Sequence, residues 1–529
     1  MRPAGAALAV ACAWVLLLAA CSDSAPPKAQ ASASAPASGS ASASAPGAPR
    51  AGGTLRVGIQ RPRSLDPAAA SPGSQSELLV ADLLFDGLPS LATDKVSDDQ
   101  RTWTFSLRAG AQFANGRPIT AADAKYSLER VAKRGEGTLG AVRLESIVGF
   151  ADLVSGATTD LAGLKALDAR TLEIDLSGPL SVLPELLSSP IYGIVPREAV
   201  EAAAPAFSSA PVGSGPFSFA GVVGDQVRLV RAAGGGAYLD AVELHLFDDL
   251  SRSYDEFVAG HLDWSLVPAG RVDDAGQRFG TGAFRPFQAE LFYAFNLLDP
   301  TFADVRFRQA IVKAIDRHAL ANAVYQGVAD PLDALVPDGV EGHTADPCGE
   351  PCRFDQAAAR ALLAAVFPDG AVPTVHIDYD QGADQDAVAA TIESSLKAVG
   401  IPVERRPRAP ADYDQFAVSG QQQLFRLGWI GLYPSPDAYL GPLFASTSRD
   451  NATGLVAGDV DQLLAAARAQ PDPASRVQLY QQAEQRVLAQ FPIVPIAQFL
   501  TKAVVADGVR DLTLGVDGTF AGDRVWLDR

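Results

Sequence analysis

The sequence predicts an α/β protein with several domain-sized units, on two observations. Residues 374–428 follow the order strand, helix, strand, helix, strand, which is typical of a parallel sheet covered by helices. The chain has 529 residues, of which 48% are hydrophobic and 20% charged, so it has enough apolar material for a core. Without a leader of 53 residues it is still long enough for about three domains of about 150 residues each.

The elements of this late segment and its flank follow from periodicity. Alternating residues predict strands, an apolar stripe at helical spacing predicts helices, and Gly400 ends the first helix. In chain order the expected elements are a strand over 374–379, a helix over 383–399, a strand over 401–405, a helix over 411–418, a strand over 423–428 and helices over 459–470 and 472–490. Pro492 then breaks the helical pattern, and we expect the chain to cross to another part of the fold.

The earlier half of the body opens on a strand over 54–59, followed by a helical run over 77–85. Residues 102–108 alternate, with three apolar side chains on one face, and predict a half-buried strand. Thr120 predicts the cap of a helix that continues over 124–133.

The leader predicts export and a lipid anchor. An uncharged run ends in Leu-Ala-Ala-Cys at 18–21, which is similar to the bacterial lipobox, where the cysteine is lipidated and becomes the new N-terminus. The alternative is a Cys21 buried in an uncleaved anchor. Residues 22–53 are rich in Ala, Ser, Pro and Gly and predict a flexible linker. We therefore expect residues 1–21 to be a lipoprotein signal peptide and the body to be extracytoplasmic, anchored to the bacterial cell membrane.

The net charge argues against nucleic-acid binding, and the cysteines beyond the leader predict a disulfide. The net charge of −18 gives no electrostatic reason to bind nucleic acid. Beyond the leader the cysteines are Cys348 and Cys352, in a turn rich in Pro and Gly, which predicts a local disulfide in an oxidising compartment. The alternative is a metal site that recruits His343, but three candidate ligands do not complete a tetrahedral set.

Common enzyme signatures are missing from the sequence. It contains no G-x-x-x-x-G-K-[ST] and no H-E-x-x-H, and the residues around Ser214 do not form the G-x-S-x-G nucleophile elbow. The five histidines are scattered, and none pairs with another at metal-ligand spacing. We expect no cofactor, no metal and no catalytic residue, although two carboxylates that meet in space could still perform hydrolase chemistry.

Four stretches of the sequence carry a family resemblance. The longest runs over 102–130 and contains Phe-Ala-Asn-Gly-Arg-Pro-Ile-Thr. The others are Pro-Val-Gly-Ser-Gly-Pro-Phe at 211–217, Tyr-Ala-Phe-Asn at 293–296 with the segment 304–317, and Arg-Leu-Gly-Trp at 426–429 with the segments 433–437, 461–464 and 491–495. In content and order they resemble the family 5 extracellular solute-binding proteins, the receptors of peptide-type and nickel-type ABC importers.

The resemblance implies a two-lobed type II periplasmic-binding-protein fold of the α/β class, with an extra α+β domain inserted in lobe I. The two lobes would close over a ligand like a clamp. The implied units are lobe I over 54–93, the inserted domain over 94–205, lobe I again over 206–288, lobe II over 289–491 and a return to lobe I over 492–529.

The resemblance also implies ligand-facing residues. In peptide-binding relatives a tryptophan lines the cleft and an arginine three residues earlier faces a ligand carboxylate, and these positions are Trp429 and Arg426 here. The aspartate that holds the ligand's amine three residues after the tryptophan is Leu432. Either an acid elsewhere replaces it, or the ligand is not held by a free amine, because a buried ammonium needs a charged partner. Other positions expected at the cleft are Tyr433, Ser74, Gln75, Gly213, Ser214, Gly215 and Gln498.

These residues have alternative roles as well. Trp429 could be a core residue, and Arg426 could be an ion-pair residue at the surface. The resemblance implies a receptor that binds a small ligand, an oligopeptide or similar solute, and delivers it to an ABC permease with its ATPase. We expect a monomer that contacts the membrane through the lipid on Cys21. A surface-anchored hydrolase and a ligand sensor on the same fold are the alternatives.

Cys21→Ala tests the anchor. We expect the variant to leave the membrane or to remain unprocessed, because one cysteine carries the whole anchor. Membrane fractionation with metabolic lipid labelling measures this, and Cys12→Ala, in the same leader, is the matched control. Normal lipid labelling of the Cys21→Ala variant would contradict the prediction.

Overall fold

A computed structural model describes residues 48–135, 138–203 and 206–529. The predicted signal peptide with Cys21 and residues 22–47 of the predicted linker lie outside these ranges. Within the described ranges, no helix combines the length and the apolar character needed to span a bilayer.

The strands of the described residues form three sheets. In chain order the strands are β1 (Thr54–Gln60), β2 (Ala92–Val96), β3 (Thr102–Leu107), β4 (Leu164–Ala166), β5 (Thr171–Asp175), β6 (Phe217–Val223), β7 (Gln226–Arg231), β8 (Ala241–Phe247), β9 (Trp264–Leu266), β10 (Phe284–Phe295), β11 (Ala329–Pro331), β12 (Val375–Asp380), β13 (Val403–Arg408), β14 (Leu424–Ile430), β15 (Ile493–Val505), β16 (Val509–Arg510) and β17 (Trp526–Leu527).

Helices occur along the whole described part of the chain, between the strands of these sheets. They are α1 (Gln75–Leu84), α2 (Leu88–Leu91), α3 (Ala121–Ala132), α4 (Leu139–Val142), α5 (Phe150–Val154), α6 (Leu183–Leu187), α7 (Arg197–Ala203), α8 (Leu250–Val258), α9 (Val272–Phe279), α10 (Val305–Ala314), α11 (Arg317–Tyr325), α12 (Gln356–Val366), α13 (Ala383–Ala398), α14 (Pro410–Ala417), α15 (Asp437–Phe444), α16 (Gly458–Ala469) and α17 (Pro473–Leu488).

The largest sheet has the strand order β13-β12-β14-β10-β15-β9-β1-β8-β7-β6, with β11 added beside β15. Its two long strands, β10 and β15, pair antiparallel with each other. Strand β10 also pairs with β14, and the end of β15 pairs with β9. The continuous hydrogen bonding therefore joins the strands of the first half of the chain to those of the second half.

The α/β segment predicted from periodicity is confirmed. Strand β12 pairs in parallel with both β13 and β14. The stripe of α13 is buried at Val388, Ile392 and Leu396, and Gly400 follows the helix with a φ of 95°. A positive φ of this kind ends a helix at low steric cost only for glycine.

The predicted elements of the earlier half are also present: β1 lies in the large sheet, and the strand predicted over 102–108 is β3 of a separate sheet with the order β2-β3-β5-β4. Trp103, Phe105 and Leu107 all lie in its core. Thr120 caps α3 in a capping box with Asp123, so that each side chain satisfies the other's backbone N–H. The sheet lies inside the predicted inserted domain except for the first residues of β2, and the domain boundaries themselves stay predictions.

The turn near Cys348 and Cys352 has the geometry of the predicted disulfide, with the two sulfur atoms bonded and the Cα atoms 5.7 Å apart. Lys313 Nζ donates to the backbone oxygen of Glu350 at 2.7 Å, which attaches the turn to α10. His343 Nδ1 lies 2.8 Å from the backbone oxygen of Val336. In the described ranges, no group of three or more His, Cys, Asp or Glu residues is arranged to hold a metal ion.

A buried carboxylate ties β1 to distant parts of the chain. The fully buried Asp263 precedes β9 and accepts hydrogen bonds from Arg56 Nη2 at 2.8 Å and Arg529 Nη1 at 2.7 Å. Burial alone would raise the pKa of Asp263, but the hydrogen bonds from Arg529 and Arg56 lower it to about 2.

Asp263→Asn tests this contribution to stability. A carboxyl whose pKa is lowered on folding stabilises the protein above its unfolded pKa and loses that effect as the pH falls through the folded pKa. We expect the variant to lose at least about 2 kcal/mol of unfolding free energy at pH 7. At pH 3, the stabilisation that the lowered pKa of Asp263 gives the wild type should fall to about half of its value at pH 7, so the loss caused by the substitution should be smaller. Urea unfolding at both pH values measures this. Asp248→Asn, at an exposed ion pair, is the control, and an equal loss at pH 3 and pH 7 would contradict the prediction.

Candidate ligand-binding site

Three side chains form a row across the centre of the large sheet. Glu290 on β10 is the direct register partner of Trp429 on β14 and of Gln498 on β15. Directly paired residues on neighbouring strands project to the same face of a sheet, so the three side chains are neighbours. Trp429 and Gln498 are among the residues predicted from the sequence. Glu290 was missed, and its signal is that it is the one charged residue in the run 286–298.

Trp429 is buried, and its polar and aromatic groups are both engaged. Its Nε1 donates to the backbone oxygen of Ala438 at 2.7 Å. The guanidinium carbon of Arg143, which follows α4, lies 5.2 Å from the ring centroid, within the range of a cation–π contact. Arg143 belongs to the part of the chain that carries the four-stranded sheet, so this contact joins that part to β14.

Arg426 lies on the opposite face of β14 from Trp429, because residues three apart on a strand alternate faces. It is buried, and its Nη1 lies 3.4 Å from Asp380 Oδ1. Its register partner on β10 is Tyr293, and burial raises the pKa of that hydroxyl well above its usual value. Arg426 Nε and the Tyr293 hydroxyl have no hydrogen-bond partner among the described residues. The structure thus places the two family-implied side chains on different sides of the sheet.

The residues after β14 form a buried network around a carboxylate. Leu432 packs in the same core cluster as Trp429. The Tyr433 hydroxyl donates to Asp437 Oδ2 at 2.9 Å. Asp437 also accepts hydrogen bonds from Arg468 Nε at 2.6 Å and from the Tyr480 hydroxyl at 2.9 Å.

The charge of Asp437 is stabilised by these donors. Burial opposes ionisation, but the positive charge of Arg468 and the hydrogen bonds keep the pKa of Asp437 below its usual value. Burial and the charge of Asp437 raise the pKa of Tyr433. The Tyr433 hydroxyl therefore stays protonated and remains a donor to Asp437.

The predicted residues Ser74 and Gln75 lie at the start of α1. Ser74 caps the helix through its side-chain oxygen, and Gln75 Nε2 donates to Thr501 Oγ1 on β15 at 2.7 Å. A Cβ atom added at Gly73 would lie 3.2 Å from Ile430 Cδ1. The start of α1 is therefore in contact with both β15 and the end of β14.

The tripeptide over 213–215 packs against the end of α1. A Cβ atom at Gly213 would lie 1.9 Å from the backbone oxygen of Leu84, and Gly215 N donates to that same oxygen at 2.9 Å. Ser214 Oγ donates to the backbone oxygen of Ile194 at 2.9 Å. Close approach of two backbones explains the glycine at 213, and a role at a ligand stays a prediction.

Gln498 has a fully engaged side-chain amide. Its Oε1 accepts from Asp338 N at 2.8 Å, and its Nε2 donates to the backbone oxygens of Asp338 at 2.8 Å and Phe287 at 3.2 Å. These bonds hold the segment around Asp338 over the row of Trp429, Glu290 and Gln498.

Two ion pairs connect the part of the chain that carries the four-stranded sheet with the later helices. Arg143 pairs with Asp450, and both side chains are at most 9% exposed. Glu185 pairs with Arg476 on α17 at 3.3 Å. Neither contact has a local signal in the sequence, because the partners lie 307 and 291 residues apart.

Comparison with known proteins agrees with this architecture. A model of the bacterial extracellular solute-binding proteins, family 5 Middle, matches residues 88–451. The probable deoxycholate-binding periplasmic protein YgiS of Escherichia coli (strain K12) is 28% identical over 466 residues, covering 82% of this chain and 86% of the relative. The periplasmic murein peptide-binding protein MppA of the same strain is 28% identical over 468 residues, covering 83% and 86%.

A solved structure supports the same conclusion. The unliganded open form of the MppA murein tripeptide binding protein superposes with a TM-score of 0.77 at 25% identity, covering 90% of this chain and 97% of that chain. The family resemblance and the two-lobed α/β fold predicted from the sequence are confirmed. Since the family model spans more than half of the chain, the protein belongs to the bacterial extracellular solute-binding proteins of family 5.

Proposed function

We propose that the protein is a membrane-anchored extracytoplasmic receptor that binds a peptide or peptide-like solute between two lobes and delivers it to an ABC permease. Membership of the solute-binding family carries the proposal. The similarity to a murein peptide-binding protein supports a peptide, and the row of Trp429, Glu290 and Gln498 supplies an aromatic wall beside polar groups. Ligand sites in proteins combine apolar and aromatic walls with a few polar groups that orient the ligand.

The lobes are taken to have the predicted boundaries, with the hinge in β10 and β15. In the sheet, β10 and β15 lie between the strands of the first half of the chain and the other strands of the second half. The register in which β10 pairs with β15 shifts between Pro286 and Glu290. A register irregularity disrupts the ladder locally and increases bending. We therefore place the closing movement near Pro286 and the facing part of β15.

Ligand contacts from both lobes would favour the closed arrangement, because a ligand shifts a conformational equilibrium only by its differential affinity for the two states. The ion pair of Arg143 with Asp450 and that of Glu185 with Arg476 would strengthen closure from the inserted domain. The permease would then distinguish the closed from the open form, while the lipid on Cys21 keeps the receptor near the membrane.

The receptor is proposed to release its ligand unchanged. Its relatives are described as binding proteins, whereas the hydrolase alternative requires turnover. We expect a saturable rise in melting temperature with a tripeptide mixture, with all peptides recovered intact by mass spectrometry. Cleaved peptides would favour the hydrolase, and the absence of any shift with tripeptides or longer peptides would contradict a peptide receptor.

Trp429→Ala tests the aromatic wall. We expect it to weaken peptide binding more than tenfold, equal to about 1.4 kcal/mol, because a large aromatic side chain supplies both apolar contact and shape. Calorimetry measures the affinity. The matched control is Trp103→Ala, which removes a buried indole from the four-stranded sheet and should lower stability without lowering affinity. Equal affinities of the two variants would indicate that Trp429 is a core residue only.

Asp450→Asn tests the contribution of the inserted domain to closure. We expect faster ligand dissociation, because the variant removes the charge of an ion pair that joins the inserted domain to the later part of the chain. Stopped-flow displacement of a fluorescent peptide measures the rate. Asp175→Asn, at an exposed ion pair with Lys165, is the control. Unchanged dissociation in Asp450→Asn would remove the inserted domain from the closing mechanism.

A further inference from the structure

Glu290 occupies an unusual position for a charged residue. It lies on β10 in the middle of the large sheet and is 2% exposed. Its Oε2 accepts no hydrogen bond from any described residue. A buried carboxyl without a partner is destabilising, so its presence requires an explanation.

The polar neighbours of Glu290 direct their donors elsewhere. Trp429 Nε1 donates to the backbone oxygen of Ala438, and Gln498 Nε2 donates to two backbone oxygens. The hydroxyl of Tyr439 on α15 donates to the backbone oxygen of Gln288 at 3.1 Å. These three donors are thus committed to backbone oxygens, and none of them carries a positive charge that could neutralise the carboxylate.

A second buried acid contacts the segment 335–338, which Gln498, the register partner of Glu290, also binds. Glu484 on α17 is 1% exposed, and its Oε1 accepts from Leu335 N at 2.7 Å and from Val336 N at 3.0 Å. Its Oε2 likewise has no partner among the described residues. Burial raises the pKa of Glu290 well above its usual value, and the negative charge of Glu484 raises it further. Burial also raises the pKa of Glu484, to about 7.

Two buried acids, each with an oxygen that accepts no hydrogen bond from the described residues, could together bind one cationic group. An ammonium donates up to three hydrogen bonds and would compensate the charge of an ionised carboxylate in a low-dielectric site. The indole of Trp429 beside Glu290 adds an aromatic surface of the kind that attracts cations. Leu432, where peptide-binding relatives would have an acid, is apolar and offers no such partner.

We propose that Glu290, together with Glu484, binds an ammonium group of the ligand and replaces the acid that is absent at Leu432. The inference rests on the proposed receptor function and adds the ligand class, a solute that carries a primary amine. The amine is either the α-amine of a peptide or the side chain of a lysine, and the test separates the two. Loss of the Glu290 carboxylate should affect cationic ligands only.

The experiment uses three tripeptide mixtures of random sequence: one free, one N-acetylated and one free at its N-terminus but without lysine. Calorimetry on the full chain should give at least hundredfold weaker binding for the N-acetylated mixture if the site holds the α-amine. The same loss for the mixture without lysine would assign the site to lysine side chains. If the N-acetylated mixture and the mixture without lysine each bind less than tenfold more weakly than the free mixture, the proposal is overturned.

Glu290→Gln then assigns the effect to this carboxyl. We expect at least thirtyfold weaker binding of the preferred mixture, and less than threefold discrimination between it and the mixture that lacks the recognised amine. The unliganded variant should melt at the same or a higher temperature than the wild type, because the glutamine removes an unpartnered acid. Glu173→Gln, at an exposed ion pair, is the matched control.

The outcomes separate this inference from the function on which it rests. If the wild type binds the mixtures but Glu290→Gln keeps full discrimination, Glu290 does not hold the amine and the receptor function stands. If no mixture binds, peptide binding itself is wrong and the inference falls with it. If Glu290→Gln does not fold, the contrast among the three mixtures in the wild type still decides whether an ammonium is recognised.

Discussion

The antiparallel pairing of β10 with β15 determines where the candidate site lies. These strands are the longest in the large sheet; β10 pairs with β14 along its other edge, and β15 continues beyond β10 to pair with β9. Register decides which side chains share a face, and a slip of one residue would turn Glu290 away from Trp429. The irregularity between Pro286 and Glu290 is thus part of what sets the composition of the site.

The sheet separates two chemically different environments. On the face of Trp429, residues of α15 and α17 share a core cluster with that side chain, and the buried acids Glu290 and Glu484 each have an oxygen without a partner among the described residues. On the other face, Arg426 lies between Asp380 and Tyr293. A family motif that names two residues three apart on a strand therefore describes both sides of that strand, and the two residues meet one ligand only if the ligand extends past the strand's edge.

Local signals were sufficient for much of the fold. The stripe of α13, the capping box at Thr120 and the glycine at 400 each act within a few residues, so the sequence predicted these elements closely. Element ends differ from the predicted ones by at most three residues, as fraying ends do. The family resemblance predicted the two-lobed arrangement, which periodicity alone would not have specified.

The interactions at the candidate site could not be predicted in the same way. The pair of Arg143 with Asp450 joins residues 307 apart, and no local pattern links them. Glu290 gave a weak signal, one charge in the apolar run 286–298, whose meaning depends on its neighbours across the sheet. The 213–215 tripeptide shows the same limit, because a glycine that looks like a ligand loop in sequence is also required by the nearby Leu84 backbone.

The order of the strands in the large sheet has a consequence for how the chain folds. The four-stranded sheet is complete once residues 92–175 are available, and the parallel strands β12 to β14 lie within 56 residues. Strand β15, by contrast, must pair with β9 across more than 225 residues of intervening chain. Contacts of such separation form slowly because loop closure precedes the gain in contacts. We therefore expect the central ladder to form late, and until it forms the edges of β9 and β10 are open to pairing with other chains.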